Sequence, residues 1–307
     1  MRAALALAMV PLVGCSSILG IDDPSTGRRI DGGVDGQIDA PSGDHLLFSL
    51  TDFSMAQQQM VHFHVQFVHN GGTPAPEDVT ATATYRSDNA SYVTVPAAGT
   101  IASGGAQFGV ATVTASLPGM PGVAPATLQV TVKPTPCHPV INEFVAGSAA
   151  SAADEWVEIY NPCTRTVDVS TWTLDYRGPN TTGTTDATLM VALAGTMQQG
   201  DVRLYAGVDY TGGATVTGPL AGGASGVLGG AQGAVGLRSG PKDTGPLVDS
   251  VAYGAVTPGH PFIEMHAITM LGNGLGASRV LDGRDDGDGT TDFVVGPTMT
   301  PGALNAP

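Results

Sequence analysis

Apolar and polar residues alternate with a period of two along most of this chain, and no long stretch keeps the 3.6-residue period of an amphipathic helix. Over residues 60–68, Val61, Phe63, Val65 and Phe67 point one way, while Met60, His62, His64 and Gln66 point the other. That pattern predicts one strand with a buried face and a solvent face. Further strands are predicted at 79–85, 92–95, 108–115 and 126–132, separated by clusters of Gly, Pro, Asn and Asp. Short strands at regular spacing with no helix between them predict a β-sandwich. Lys133-Pro134-Thr135-Pro136 follows, and its two prolines fix φ and cannot donate to a sheet. This predicts a hinge between two modules.

Beyond the hinge, residues 139–145 and 155–161 form two β-rich runs around an Ala/Ser/Gly spacer. Antiparallel pairing with a constant positional sum of 300 sets Val145 opposite Glu155 and Pro139 opposite Asn161. The same register sets Cys137 opposite Cys163. Trp156, Glu158 and Tyr160 share one face of their strand, and Val157 and Ile159 share the other; the pattern leaves open which face is inside. If the Trp face is inside, Glu158 needs a partner, and Arg203, Arg238 and Arg279 are the candidates. Trp172 and Leu174 alternate as core positions.

The N-terminus changes the picture from a fold to a compartment. Met1-Arg2 precedes an apolar run at 3–13. At ~1.5 Å per residue this run is too short to cross ~30 Å of hydrocarbon, so it reads as a signal peptide. It ends Leu12-Val13-Gly14-Cys15, which resembles the bacterial lipobox. The resemblance implies removal of residues 1–14 and lipidation of Cys15, with the membrane held through the lipid at ~0.8 kcal/mol per buried CH₂. Ser16 after the Cys implies outer-membrane sorting within a bacterial cell envelope, facing either periplasm or exterior. Residues 15–45 carry Asp22, Asp23, Asp31, Asp35, Asp39 and Asp44 with no apolar period. They are expected to be a disordered acidic linker, reaching roughly 25–35 Å as a random coil.

The formal net charge is −15, from 12 Lys+Arg against 27 Asp+Glu, which disfavours nucleic acid as a partner. There are 3 cysteines. With Cys15 assigned to lipid, Cys137 and Cys163 remain as a pair in an oxidising compartment. Their disulfide would close a loop of about 27 residues and contribute roughly 3–4 kcal/mol; the alternative is two free thiols.

Candidate chemistry is sparse. His62-x-His64 is a possible transition-metal pair on the predicted solvent face, without a third ligand, since His69 lies beyond the strand end. In the acidic run 282–292, Asp286, Asp288 and Thr290 alternate somewhat as in a calcium loop, with Gly289 able to turn. An EF-hand would need Glu at the position of Pro297, so it is not that loop. The two readings are Ca²⁺ held by Asp286, Asp288 and Thr290, or a solvated turn with an Arg279 or Arg284 ion pair. No G-x-S-x-G elbow, Walker lysine or H-E-x-x-H motif occurs. No catalytic residue is assigned, no cofactor beyond that calcium is expected, and the chain is expected not to be an enzyme.

Two families resemble these motifs. Residues 79–85, Ser87-Asp88-Asn89-Ala90-Ser91, 93–95, Gly99 and 127–132 resemble bacterial Ig-like domains, implying a spacer or adhesive module over 46–133. Ile141-Asn142-Glu143, residues 154–162 and 167–174, Gln199-Gly200-Asp201, 235–238, 248–254, Ala277-Ser278-Arg279, 282–285, Asp292-Phe293 and 300–305 together resemble the lamin-tail domain. That resemblance implies an Ig-like sandwich over 137–307. Thr171 stands where that family usually has Gly, and the Gly-rich insertion 211–233 is expected to be a mobile loop. The expected fold is thus all-β: two tandem Ig-like β-sandwiches after a signal peptide and a disordered linker. By analogy the expected role is a binding, adhesion or scaffold module for an envelope protein or glycan. The alternative is a calcium-binding accessory to secreted or envelope enzymes.

Overall fold

Ten strands carry the alternating pattern of the N-terminal half in a computed structural model. The structure describes residues 43–104, 107–183, 185, 187–272 and 274–305, so Cys15, the signal segment and nearly all of the predicted linker lie outside it. The strands are β1 (His45–Phe48), β2 (Phe53–Gln57), β3 (Met60–His62), β4 (Val65–Val68) and β5 (Glu77–Asp78). They continue with β6 (Thr84–Ser87), β7 (Val93–Ala97), β8 (Thr100–Ser103), β9 (Gly109–Ser116) and β10 (Ala126–Pro136). Three sheets, ordered β1-β4-β5, β2-β10-β9-β6 and β3-β8-β7, contribute to one core. Met55, Val61, Val65, Val93, Ile101, Val113 and Val130 are fully buried there, each worth roughly 1.5–3 kcal/mol.

Two predicted strands are each broken, for one reason. The 60–68 run keeps its alternation, and Val61, Phe63, Val65 and Phe67 are all buried. Yet β3 pairs with β8 whereas β4 pairs with β1 and β5. Between them Phe63 N donates to Gly99 O and His64 N to Ser49 Oγ. Of the 79–85 run only Thr84 and Tyr85 are strand, in β6; residues 79–83 form a turn after β5 in which the Thr82 and Ala83 amides donate to Val79 O. In both cases the chain changes sheets, and a strand that turns a sandwich corner must interrupt its ladder.

The predicted hinge is a strand. β10 runs on to Pro136 and pairs in parallel with β2, from Val130 opposite Phe53 to Val132 opposite Met55 and, after a shift of register, at Pro136 opposite Gln57. Its ladder with β9 stops at Val132. Beyond that point one side of β10 has no strand to serve, which is where proline is tolerated. The β2–β3 turn, with Gln58 at φ 58°, then reaches the second module. Cys137 N donates to Gln57 O, Thr164 N to Gln58 O, and Met60 N to Pro162 O. Ala56 packs on the second core and Leu281 on the first. Ser42–Pro307 is accordingly one compact unit.

The second sandwich uses β11 (Val140–Val145), β12 (Trp156–Tyr160), β13 (Val167–Asp168), β14 (Thr173–Arg177), β15 (Thr188–Ala192) and β16 (Thr196–Met197). Then come β17 (Val202–Ala206), β18 (Val216–Pro219), β19 (Gly233–Arg238), β20 (Leu247–Tyr253), β21 (Gly276–Arg279), the single α-helical turn α1 (Gly289–Asp292) and β22 (Phe293–Gly296). A six-stranded sheet β18-β17-β12-β11-β21-β22 and a four-stranded sheet β15-β14-β19-β20 enclose a core containing Ile141, Phe144, Val157, Ile159, Leu174, Val235 and Val251. Val157 and Ile159 are therefore the inward face of β12.

The 140–160 hairpin keeps the sum of 300 only for Val140–Tyr160 and Ile141–Ile159. After Asn142 the sum becomes 301, so Val145 faces Trp156, not Glu155. Asn142 is a bulge. Strict alternation from Ile141 would send Phe144 outward; one extra residue returns it to the core and turns Glu143 outward beside Asn142. On the open side the register does bring Cys137 and Cys163 together, in a disulfide with Cα atoms 5.6 Å apart. The turn before Trp172 closes through Trp172 N to Val169 O without a positive φ at Thr171, so no Gly is needed there. The Gly-rich insertion, expected to be mobile, is pinned. β18 pairs with β17, Leu220 and Leu228 are buried, and the Glu155 carboxylate accepts Val227 N at 2.6 Å and Leu228 N at 2.7 Å.

Candidate functional site

The Asn142 bulge assembles the most unusual chemistry in the molecule. On the outer face of the six-stranded sheet, Glu143 from β11 and Glu158 from β12 lie beneath residues 297–305, with Asp282 from the loop after β21 beside them. They are 1%, 0% and 5% exposed. Each carboxyl accepts a backbone amide of that C-terminal segment. Glu143 takes Thr300 N at 3.0 Å, Glu158 takes Gly302 N at 2.7 Å, and Asp282 takes Asn305 N at 3.0 Å. Asn142 Nδ2 ties the group together, donating to Glu158 at 3.0 Å and to Asp282 at 2.7 Å. Among the described residues none of the three forms an ion pair with a basic side chain. Burial pushes Glu143 up to about 7 and Glu158 up to about 8, and raises Asp282 as well; the amide hydrogen bonds offset only part of this.

The partner expected for Glu158 was Arg203, Arg238 or Arg279, and the structure assigns it none of them. Arg203 donates to Ala194 O and Thr196 O, Arg238 pairs with Asp175, and Arg279 with Asp249. Glu158 is served by an amide side chain and a backbone N–H instead, because the C-terminal segment closes over its face of β12.

A second cluster lies past the bulge. Ligand oxygens of Asp249 (β20), Glu264 and Asp285 come within 4.8 Å of one another. The cation they face is a guanidinium. Arg279, fully buried, donates Nε to Ile141 O at 2.7 Å and Nη2 to Asp249 at 2.8 Å, with Asp292 at 3.5 Å. Burial pushes Glu264 up to about 9 and Asp292 up to about 6, with the neighbouring carboxylates adding to the first and Arg279 opposing both. Neither Asp249 nor Glu264 was singled out from the sequence. An acid inside the apolar run Val248-Asp249-Ser250-Val251 was a usable signal of a buried partner; Glu264, in a segment without period, gave none.

The acidic loop is built into the junction between the sandwiches. Gln59 Nε2 donates to Gly283 O, Lys133 lies 3.5 Å from Asp286, and His138 3.7 Å from Asp285. The residues proposed for calcium, Asp286, Asp288 and Thr290, are engaged otherwise. Asp286 pairs with Arg284 at 2.9 Å. Asp288 caps α1 by accepting Thr290 N at 3.0 Å, takes Thr290 Oγ1 at 2.9 Å, and meets His266 at 2.9 Å. The alternation that resembled a ligand ladder is a helix cap. Arg284 and Arg279 both reach Asp292, which is buried.

The histidine pair is also placed differently. His62 and His64 line a cavity of about 160 Å³ with Ser49, Asp282 and Asn305, between the first sandwich and the C-terminal segment. His64 is held by Asp78 at 2.9 Å, and burial lowers the pKa of His62. The face is half-buried, not free in solvent, because β3 lies against the second module. A larger cavity, about 390 Å³, lies on the other side of Asn305 and is lined by Glu143, Ser278, Met299 and Thr300. Among the described residues no helix is long and apolar enough to cross a membrane.

No protein-family model matches the chain, and no curated protein matches it. Among solved structures, a DUF4876 family protein from Bacteroides thetaiotaomicron is similar at TM-score 0.36 and 10% identity, over 85% of this chain and 96% of that chain. The S-layer protein rSbsC is similar at TM-score 0.25 and 14% identity, over 53% of this chain and 22% of that one. Domains 4–9 of surface layer protein SbsC give TM-score 0.25 and 12% identity, over 69% and 31%. Likenesses this weak carry neither a family nor an activity to this chain.

Proposed function

We propose that this chain is a lipid-anchored protein of the bacterial envelope, a non-enzymatic binding or scaffold module whose second sandwich is of lamin-tail type. Lipid on Cys15 would hold it to the outer membrane, and the acidic linker would carry the two sandwiches away from the surface. The observation that supports this best is the junction. β10 runs through Pro134 to Pro136, the Gln57–Gln59 turn bonds to the segment beside the disulfide, and the acidic loop closes on Lys133, Gln59 and His138. A stiff two-module body suits presentation of loops and sheet edges to a protein or glycan. The buried carboxyls support the non-enzymatic reading, because they bind framework amides and a buried arginine. A disulfide fits an oxidising compartment.

Metabolic labelling with a palmitate analogue, followed by envelope fractionation, tests the anchor. Wild type should incorporate label and sediment with outer membrane, and Cys15→Ser should do neither. Equal labelling of the two would remove the anchoring claim. The binding claim is tested with immobilised soluble body, residues 43–305, against envelope glycans and solubilised envelope proteins; absence of any saturable retention would refute it.

A further inference from the structure

We propose that residues 297–305 form a proton-gated strap, seated while Glu143 and Glu158 hold protons and released from the outer sheet face when these two carboxyls ionise. The strap's own side chains, Pro-Thr-Met-Thr-Pro-Gly-Ala-Leu-Asn, include no titratable group. Its polar seat is the carboxyl set: Thr300, Gly302 and Asn305 each give a backbone amide to a different buried acid. Its apolar seat is one side chain, Met299, packed on Trp156, Leu204 and Ala206, while Leu304 is substantially exposed. Gly302 sits at φ 80°, and a Cβ there would meet Ala214 at 2.9 Å, so the strap lies close against the body at the residue that binds Glu158.

The groups facing this seat come from every element around it. β11 supplies Asn142 and Glu143, β12 supplies Glu158 and Tyr160, the loop after β21 supplies Asp282, and the first sandwich supplies His62 with His64 beside it. Arg279 offers only its carbonyl, to Asn305 Nδ2. Three acids therefore share a buried site whose nearest base among the described residues is His62, and burial lowers the pKa of that imidazole. The charges of Glu143 and Asp282 both act against ionisation of Glu158. The seated strap favours the protonated forms of Glu143 and Glu158; lifting it readmits water and lets them ionise.

The sign follows from values raised above the ordinary carboxylate range, about 7 for Glu143 and about 8 for Glu158. Their contribution to seating is complete below the ordinary value near 4.5 and is lost as pH rises through 7 to 8. With those values the opening constant should rise roughly a hundredfold between pH 6 and pH 9 from Glu158 and about a further tenfold from Glu143.

Hydrogen exchange of the full chain, corrected for the intrinsic rate at each pH, reads this directly. At pH 9 the amides of Thr300, Gly302 and Asn305 should lose protection while β12 and β19 keep theirs, and Trp156 emission should shift to the red. Glu143→Gln/Glu158→Gln should flatten the response to less than about tenfold. Wild-type protection unchanged between pH 6 and pH 9 overturns the proposal. So does a double variant that keeps the full response, or a loss of protection that spreads to β12 and β19. The wild-type comparison stands alone if the double variant does not fold, and Glu143→Gln by itself should remove the smaller part of the response.

Discussion

Replacing Arg279 by Met tests the second cluster most severely. The guanidinium has no exposed surface. It donates to Ile141 O, Asp249 and Arg284 O, approaches Asp292 at 3.5 Å, and lies 4.6 Å from the centroid of the Phe293 ring. Met fills much of the aliphatic volume and removes every donor. Asp249, itself fully buried, would keep only the Ile141 amide, and two backbone carbonyls would lose their partners. Breaking a buried ion pair from one side costs about 3–5 kcal/mol, and each orphaned buried carbonyl about 1–3 kcal/mol, less whatever the acids recover by taking up protons. A loss of about 4 kcal/mol at pH 7 is expected on that reckoning. The loss should shrink towards pH 5, where Asp292, pushed up to about 6, can bind a proton and no longer needs the cation. Urea denaturation followed by tryptophan fluorescence is the assay, because Trp156 and Trp172 are the only tryptophans and both lie in the second sandwich. At a slope of about 2–3 kcal/mol per molar the midpoint should fall by roughly 1.3–2 M. Arg279→Met combined with Asp249→Leu should recover part of the loss. A cost below about 1 kcal/mol at pH 7, or a cost that does not change with pH, would refute the assignment of Arg279 as the counter-ion of this cluster.

Four further outcomes are expected. Cys137→Ser with Cys163→Ser should lower the stability of the second sandwich by about 3.5 kcal/mol, from the loop-closure entropy of a 26-residue separation, read from the same urea curves. Gln59→Ala should leave Gly283 O and Ala56 N without their bonds, cost about 2 kcal/mol, and admit proteolysis at 133–136; an uncut junction would count against the clamp. Calorimetric titration with Ca²⁺ should give no saturable heat, and Asp288→Ala should cost about 1 kcal/mol through loss of the α1 cap; a heat abolished by Asp286→Ala or Asp288→Ala would establish the calcium reading instead. Glu264, raised to about 9, contributes stability that is present below about 4.5 and lost as pH rises through 9, so Glu264→Gln should melt above wild type at pH 9 and not at pH 5.

The period of two along the chain determined which side chains share a face: Val61, Phe63, Val65 and Phe67 are buried across a break in their ladder, while in β12 it grouped Val157 with Ile159 and left the inner face to the opposing sheet. The spacing of Cys137 and Cys163 around the central hairpin was enough to pair them, since register over a few residues is a local property. Where strands end was not legible there, because the interruptions at Phe63 and at Val79 arise from a change of sheet that no neighbouring residue records. Nor was the strand character of Lys133–Pro136, which depends on β2 lying alongside. The Asn142 bulge follows from the need to bury Phe144, and that need exists only once the opposing sheet is in place. The partners of Glu143, Glu158 and Arg279 lie 157, 144 and 30 residues away in sequence. Alternation can say that an acid points to one side of a sheet; only the folded chain decides what closes over that side, and so whether the acid meets water, an arginine or a strand of backbone amides.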